Sequence, residues 1–202
     1  IWETVKHHFA VSACILQKDA KIGKIIGFYS VVFAAHTLLF FYSQQYFADF
    51  GYNKVQISVI MLLVGGASCL GALASEKMYR RFGKRCLIPE TVIIAAAILC
   101  YGSGKAGVAA AALMCAGFAN AALYPIQSDS LNALIPSEQR ATLISVDSMC
   151  FSIAMIVLFP LAGALADRWG LKTVLLLLGA ILLLFLLTVF CIEKESFSSD
   201  HS

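Results

Sequence analysis

Two ionisable side chains lie in stretches that otherwise offer them little company. Asp147 falls about two helical turns into the apolar run Ala141–Ala166. His36 sits at the middle of another, Ile25–Ala48. In hydrocarbon an ionisable group is costly and marks an ion or substrate pathway by default. Asp147 suits a protonatable carboxyl that couples H+ movement to transport, or a counter-charge for a substrate. The bland alternative is a fixed partner for Arg140, seven residues back on the same helical face, or for a neighbouring hydroxyl. His36 reads as a proton or substrate site, or as a hydrogen-bonded packing group.

Uncharged polar residues extend the pattern. Asn120, Tyr124 and Gln127 recur every three to four residues, which places them on one side of a helix. Such a stripe lines a wet cavity or hydrogen-bonds to a neighbouring helix. Tyr42, Gln44, Gln45 and Tyr46 form a polar, aromatic end to the first apolar run. The aromatics suit an interfacial belt, and the paired glutamines suit a cavity. Glu90, beside Pro89 near the start of a run, is expected to be solvated.

Enzyme chemistry finds no constellation. No Gly-Lys-[Ser/Thr] phosphate loop is present, and no His-Glu-x-x-His. Ser, His and Asp occur in no nucleophile context. The seven cysteines are scattered singly, without a CxxC pair or a metal knuckle, and read as small apolar packing residues. No metal or cofactor is expected. Membrane-length apolar runs separate the basic residues, so nucleic acid is not an expected partner.

The elements that hold these residues are set by composition. The chain is 60% hydrophobic and 13% charged, with mean hydropathy +0.82. Soluble domains run at about 45–50% apolar and about 25% charged. Six segments approach the ~20 residues a bilayer needs: 25–48, 55–75, 86–104, 106–128, 141–166 and 173–192. Continuous runs fit helices rather than the alternating strands of a barrel. The expectation is an all-α membrane protein with residues 25–192 as a six-helix bundle and a lipid bilayer as its surroundings. Residues 1–24 read as a cytoplasmic linker with a roughly amphipathic face, and 193–202 as a disordered cytoplasmic tail. Of the 15 Lys and Arg, eleven fall on one side of the six spans and four (Lys54, Lys105, Arg168, Lys172) on the other. The basic-rich side is expected to be cytoplasmic, which puts both termini inside, with the cell membrane as the expected location.

The phrase Gly-Ala-Leu-Ala occurs at Gly71 and again at Gly163, 92 residues later. That shift lays spans one to three roughly on spans four to six. Three is odd, so the second unit enters the membrane from the opposite side, as in the 3+3 inverted repeats of secondary transporters. Gly71–Arg85 and Gly163–Lys172 resemble the G-x3-D-[RK]-x-G-x-[RK]-[RK] loop signature of the major facilitator superfamily. The loop Ile135–Ser145 resembles that family's link between its tenth and eleventh helices. The resemblance spans roughly Lys21–Lys194. Its signature residues here are Gly71, Glu76, Arg81, Gly83, Lys84 and Arg85 in the first copy, and Gly163, Asp167, Arg168 and Gly170 in the second. Ser75 stands where the first copy's acid is expected, with Glu76 as its replacement. Leu171 replaces a basic residue in the second copy. An acid at a helix end beside basic residues can latch one conformation and release in another; the rival is a basic cluster that only sets topology against anionic lipid.

The resemblance implies the C-terminal half of a transporter that moves a small solute by alternating access, with proton coupling as the expected drive. An N-terminal six-helix half would complete it, and the absence of an initiator Met before Ile1 reads as truncation. His36, Gln44, Gln45, Asn120, Tyr124 and Gln127 are the expected cavity residues, drawn with Asp147 mainly from spans one, four and five. Two alternatives stand beside this: a non-transporting multipass scaffold, and a half-transporter that pairs with itself.

Overall fold

The structure is a computed structural model that describes residues 20–83, 87–133 and 140–199. The described elements are helical: α1 (Ala20–Asp49), α2 (Lys54–Phe82), α3 (Leu87–Cys100), α4 (Ala106–Asn132), α5 (Arg140–Trp169) and α6 (Leu171–Ser199), with a short 3-10 turn at Tyr101–Ser103 after α3. Five helices are long and apolar enough to cross a bilayer. The apolar stretch of α3 and its turn is shorter, Ile88–Ser103.

Local chemistry sets several of the ends. Asn53 opens α2 with a capping box: its side chain accepts from the Gln56 amide at 2.9 Å, and Gln56 Oε1 accepts from the Asn53 amide at 2.9 Å. Gly83 closes α2 at φ +58°, its amide donating to Tyr79 O. Gly170 separates α5 from α6 at φ +83°, its amide donating to Ala166 O at 2.8 Å. Both backbones lie where a Cβ is disfavoured.

Two helices extend beyond the apolar spans read from the sequence. α1 begins by Ala20, inside the stretch read as a linker; the remainder of that linker lies outside the described residues. α6 runs to Ser199, seven residues past Ile192.

Most of the packed pairs map onto one another when α1 exchanges with α4, α2 with α5 and α3 with α6, whereas α5–α6, α1–α3 and α1–α2 have no counterpart of similar extent. α2 packs on α4, and α5 on α1; α3 packs on α4, and α6 on α1; α1 meets α4 and α3 meets α6. Burial follows the same exchange. In their most apolar windows α1 and α4 are each 44% buried, whereas α2 and α5 are 11% and 6% buried. The more buried pair α1 and α4 and the outer pair α2 and α5 thus occupy matching places, as a 3+3 repeat requires.

The repeat offset, however, is not 92. α2 ends at Phe82 and α5 at Trp169, 87 residues on, and the capping glycines Gly83 and Gly170 are 87 apart as well. In that register Gly163 matches Glu76, and the two Gly-Ala-Leu-Ala phrases stand at different depths. A helix end is fixed by its capping residue, whereas small residues serve wherever two helices approach closely.

That approach is visible between α2 and α4. A Cβ on Gly71 would stand 2.2 Å from the Phe118 carbonyl oxygen, and one on Gly117 would stand 2.8 Å from Ser68 Oγ. Ser75 is buried and its hydroxyl donates to Ala122 O at 2.9 Å. Val64, Ser68, Gly71 and Ser75 therefore form the α2 side of a close seam. Ser75 departs from the signature's acid because it donates to a carbonyl there, an exchange that a carboxylate, an acceptor only, cannot make.

Candidate functional site: a cavity walled by α1, α2 and α4

A cavity of about 350 Å³ opens between α1, α2 and α4. His36, Thr37 and Phe40 face it from α1; Met61, Val64, Gly65 and Ser68 from α2; and Asn120 from α4. Small-molecule sites run from about 300 to 1,000 Å³, so the space suits a small solute. Two of the lining residues, His36 and Asn120, each also carry a polar atom, Nε2 and Oδ1, that is fully buried with no hydrogen-bond partner among the described residues. Buried polar atoms are normally paired, and an orphan costs about 1–3 kcal/mol.

The hydroxyls on the same walls are committed to their own helices. Thr37 Oγ1 donates to Phe33 O at 2.7 Å, and Ser68 Oγ donates to Val64 O at 2.9 Å. Their lone pairs stay free to accept.

One turn further along α4 the stripe enters a second, smaller space. A pocket of about 90 Å³ lies between α4 and α5, lined by Tyr124, Gln127, Ser128, Asp147 and Ser148 among others. Gln127 Nε2 donates to both Asp147 carboxyl oxygens, at 3.2 and 3.3 Å. Arg140 is exposed and forms no ion pair with Asp147, so the partner proposed from helical spacing gives way to Gln127 on the neighbouring helix. The Tyr124 ring lies 5.7 Å from that of Phe33, and the residue is 59% exposed.

The structure brings the sequence candidates together unevenly. His36 and Asn120 share the large cavity; Tyr124, Gln127 and Asp147 share the small one. Gln44 and Gln45 line neither. Both are exposed near the end of α1, and Gln45 Nε2 donates to Asp49 Oδ1 at 2.7 Å. The cavity also draws on α2, which sequence reasoning did not include. The signal was there in Gly65-Gly66-Ala67-Ser68, a run of small residues that leaves room beside a neighbouring helix.

Glu90 overturns the expectation that it is solvated. It is 2% exposed, and neither carboxyl oxygen has a hydrogen-bond partner among the described residues. Helical periodicity gives the reason. Glu90 and Thr91 share the inward face of α3 with Ile94, Ala95, Ile98 and Tyr101, all buried, while Ile88, Val92 and Ile93 face outward.

The signature residues sit at helix ends. Glu76 pairs with Arg80 at 3.3 Å within α2, both exposed, so the acid that replaces the expected one makes a contact inside its own helix. Arg81 lies 5.7 Å from the Phe82 ring centroid. Lys84 and Arg85 lie outside the described residues. In the second copy Asp167 and Arg168 are exposed and make no ion pair among the described residues. Gly163 packs beside Tyr42: a Cβ there would stand 3.0 Å from the Tyr42 hydroxyl, which donates to Phe159 O at 3.0 Å. Cys69, Cys100, Cys115 and Cys150 are free thiols.

A six-helix apolar bundle with a solute-sized space between α1, α2 and α4 suits a multi-pass membrane transporter. The chain matches the Major Facilitator Superfamily over residues 25–200, and it belongs to that family. No curated protein and no solved structure matched it.

Proposed function

We propose that this chain is the C-terminal six-helix half of a secondary active transporter that moves a small solute by alternating access. The single observation that carries the reading is the solute-sized space between α1, α2 and α4, lined in part by His36, Thr37, Ser68 and Asn120, inside a bundle of this family. An N-terminal half would close the cavity from its open side. Both termini are taken as cytoplasmic from the distribution of Lys and Arg, and the cell membrane is the proposed location.

Asp147 is the proposed coupling group. Its pocket of about 90 Å³ has room for a few waters or a small ion and falls below the range for a solute. The carboxyl thus sits apart from the solute cavity, which favours proton coupling over a substrate counter-charge. The proposed latches are Asp167–Arg168 on the outer side and the Glu76–Arg81 stretch on the inner. Each would exchange its present exposure for contacts across the two halves as the transporter changes state.

Cysteine accessibility tests the reading. In a background without the native cysteines, Asn120→Cys and Tyr124→Cys are introduced singly and treated with membrane-impermeant thiol reagents from each face. Alternating access requires reaction from both faces, with the balance shifted by an imposed gradient. No reaction from either face would leave the stripe as packing between helices and favour a non-transporting scaffold.

A further inference from the structure

Glu90 lines neither cavity. It is buried, and both of its carboxyl oxygens lack a hydrogen-bond partner among the described residues. Beside it on the same face of α3 lie Ile94, Ala95 and Ile98, also buried, and the helix packs on α4, α6 and α1. No described charge on those helices answers it. Lys24 of α1 and Asp129 of α4 are exposed, and Lys172 stands at the opposite end of α6. The other titratable groups near its depth are Tyr29 and His36 on α1 and Tyr124 on α4.

Contacts of α1 fix that depth. Tyr46 Oη donates to Tyr101 O at 2.9 Å, and Ser43 Oγ lies 2.6 Å from Tyr101 Oη, at separations of 55 and 58 residues. As first and third spans, α1 and α3 run parallel, so the same separations set Glu90 level with residues 32–35 of α1. The Phe33 and Tyr124 rings lie 5.7 Å apart. α1 and α4 run antiparallel, so Asn120, one turn before Tyr124, is level with Thr37. Among the described residues, the buried polar atoms without partners belong to Ser30, His36, Glu90 and Asn120. All four fall within about two helical turns of depth.

A carboxylate buried without a donor or a cation is heavily penalised, and such a group escapes the penalty by taking up a proton. An apolar side chain would pack this face of α3 without that cost. We propose that Glu90 is a proton-binding site separate from Asp147, loaded in the packed arrangement seen here and emptied when α3 shifts against α1 and α4 and water reaches the carboxyl. In the release step the Glu90 O–H bond breaks, the proton passes to water and a hydrated carboxylate remains. α1 and α4 also supply His36 and Asn120 to the solute-sized space, so a change there and release at Glu90 move the same two helices. The release step rests on the reading of this bundle as a two-state transporter; the loaded state does not.

Infrared spectroscopy of the protein in liposomes at neutral pH tests the loaded state, because the carbonyl stretch of a protonated carboxyl stands apart from the carboxylate bands. The expected result is such a band in the wild type, shifted by carbon-13 labelling of glutamate, retained in Asp147→Asn and absent from Glu90→Gln. The label decides the matter should Glu90→Gln fold poorly, since Glu76, the other glutamate whose side chain is described, is exposed. The release step is read from Asn120→Cys in a background without the native cysteines. Its rate of thiol reaction is divided by the rate in the same protein carrying Glu90→Gln, which cancels the titration of the thiol itself. Raising the pH withdraws the proton that the packed state holds, and one proton shifts the equilibrium by at most about tenfold per pH unit. Over the range in which the band fades, the ratio should change at least about threefold, and Glu90→Asp should keep the dependence.

A neutral-pH spectrum without a protonated glutamate band overturns the proposal. A band that survives in Glu90→Gln overturns it as well. A band with a flat rate ratio makes Glu90 a fixed neutral acid and overturns the release step. If Asn120→Cys reacts from neither face, the transporter reading fails and the release step falls with it, while the infrared band still decides whether Glu90 holds a proton.

Discussion

Gly71→Ala tests the α2–α4 seam on which the cavity wall depends. The new methyl group would stand 2.2 Å from Phe118 O, 2.9 Å from Phe118 C and 3.0 Å from its Cα, where ordinary contact begins at 3.4 Å. These are backbone atoms of a helix, so no side chain can rotate away. The helices must part locally by about 1.2 Å, the difference between 2.2 and 3.4 Å. Such an opening stretches the Ser75–Ala122 hydrogen bond from 2.9 Å to well beyond bonding distance. Overpacking costs about 1–3 kcal/mol, and the lost hydrogen bond about 0.5–1.5 kcal/mol more. Gly66→Ala is the control, because a Cβ there meets nothing within 4 Å. Both substitutions gain the same helix propensity, about 1 kcal/mol, so their difference isolates the seam at roughly 1.5–4.5 kcal/mol. The assay heats detergent-solubilised protein and records the temperature at which half of the monodisperse chromatographic peak is lost. Gly71→Ala should fall clearly below wild type while Gly66→Ala matches or exceeds it. Equal midpoints for the two variants would refute the close approach of α2 to α4.

Two further outcomes follow from the same geometry. Ser75→Asp restores the acid of the family signature yet should lower the midpoint more than Ser75→Ala does. The alanine forfeits only a hydrogen bond of about 0.5–1.5 kcal/mol, whereas the aspartate also buries a carboxylate against the Ala122 carbonyl. An aspartate variant as stable as the alanine one would show that this end of the seam is open to water. Asp147→Asn should abolish gradient-driven solute movement while the protein still inserts and Asn120→Cys still reacts, as followed by a pH-sensitive dye inside liposomes. Retained coupling would remove Asp147 from the mechanism and turn attention to Glu90, the other carboxyl held inside the bundle.

Much of the fold was legible because membrane insertion is a local property. A span of about 20 apolar residues must satisfy its backbone within itself, so composition alone located the helices and excluded a barrel. The candidate site was legible in part for a related reason. Asn120, Tyr124 and Gln127 share a face of α4 by helical period, and no neighbour is needed to know it. His36 and Asp147 stood out as ionisable groups where such groups are expensive. The rest depended on which face meets which neighbour. Glu90 seemed exposed from its place near a span end, yet the rotation of α3 carries it inward. Gln44 and Gln45 read as cavity residues; the rotation of α1 leaves them exposed near its end, while His36, Thr37 and Phe40 line the space between α1, α2 and α4.

The sequence by itself therefore determined the membrane class, the six spans, the family resemblance and the polar stripe of α4. Each follows from composition or period along one segment. Only the tertiary structure decided the repeat offset of 87 rather than 92, the entry of α2 into the cavity wall and the pairing of Gln127 with Asp147. It also decided the division of one polar stripe between a solute-sized cavity and a smaller acidic pocket. The physical reason is lateral register. Gly71, Gly117 and Ser75 allow α2 and α4 to meet at one depth and one rotation. That choice is made by contacts between residues about 47 positions apart, such as Ser75 with Ala122, and no periodicity within either helix contains it.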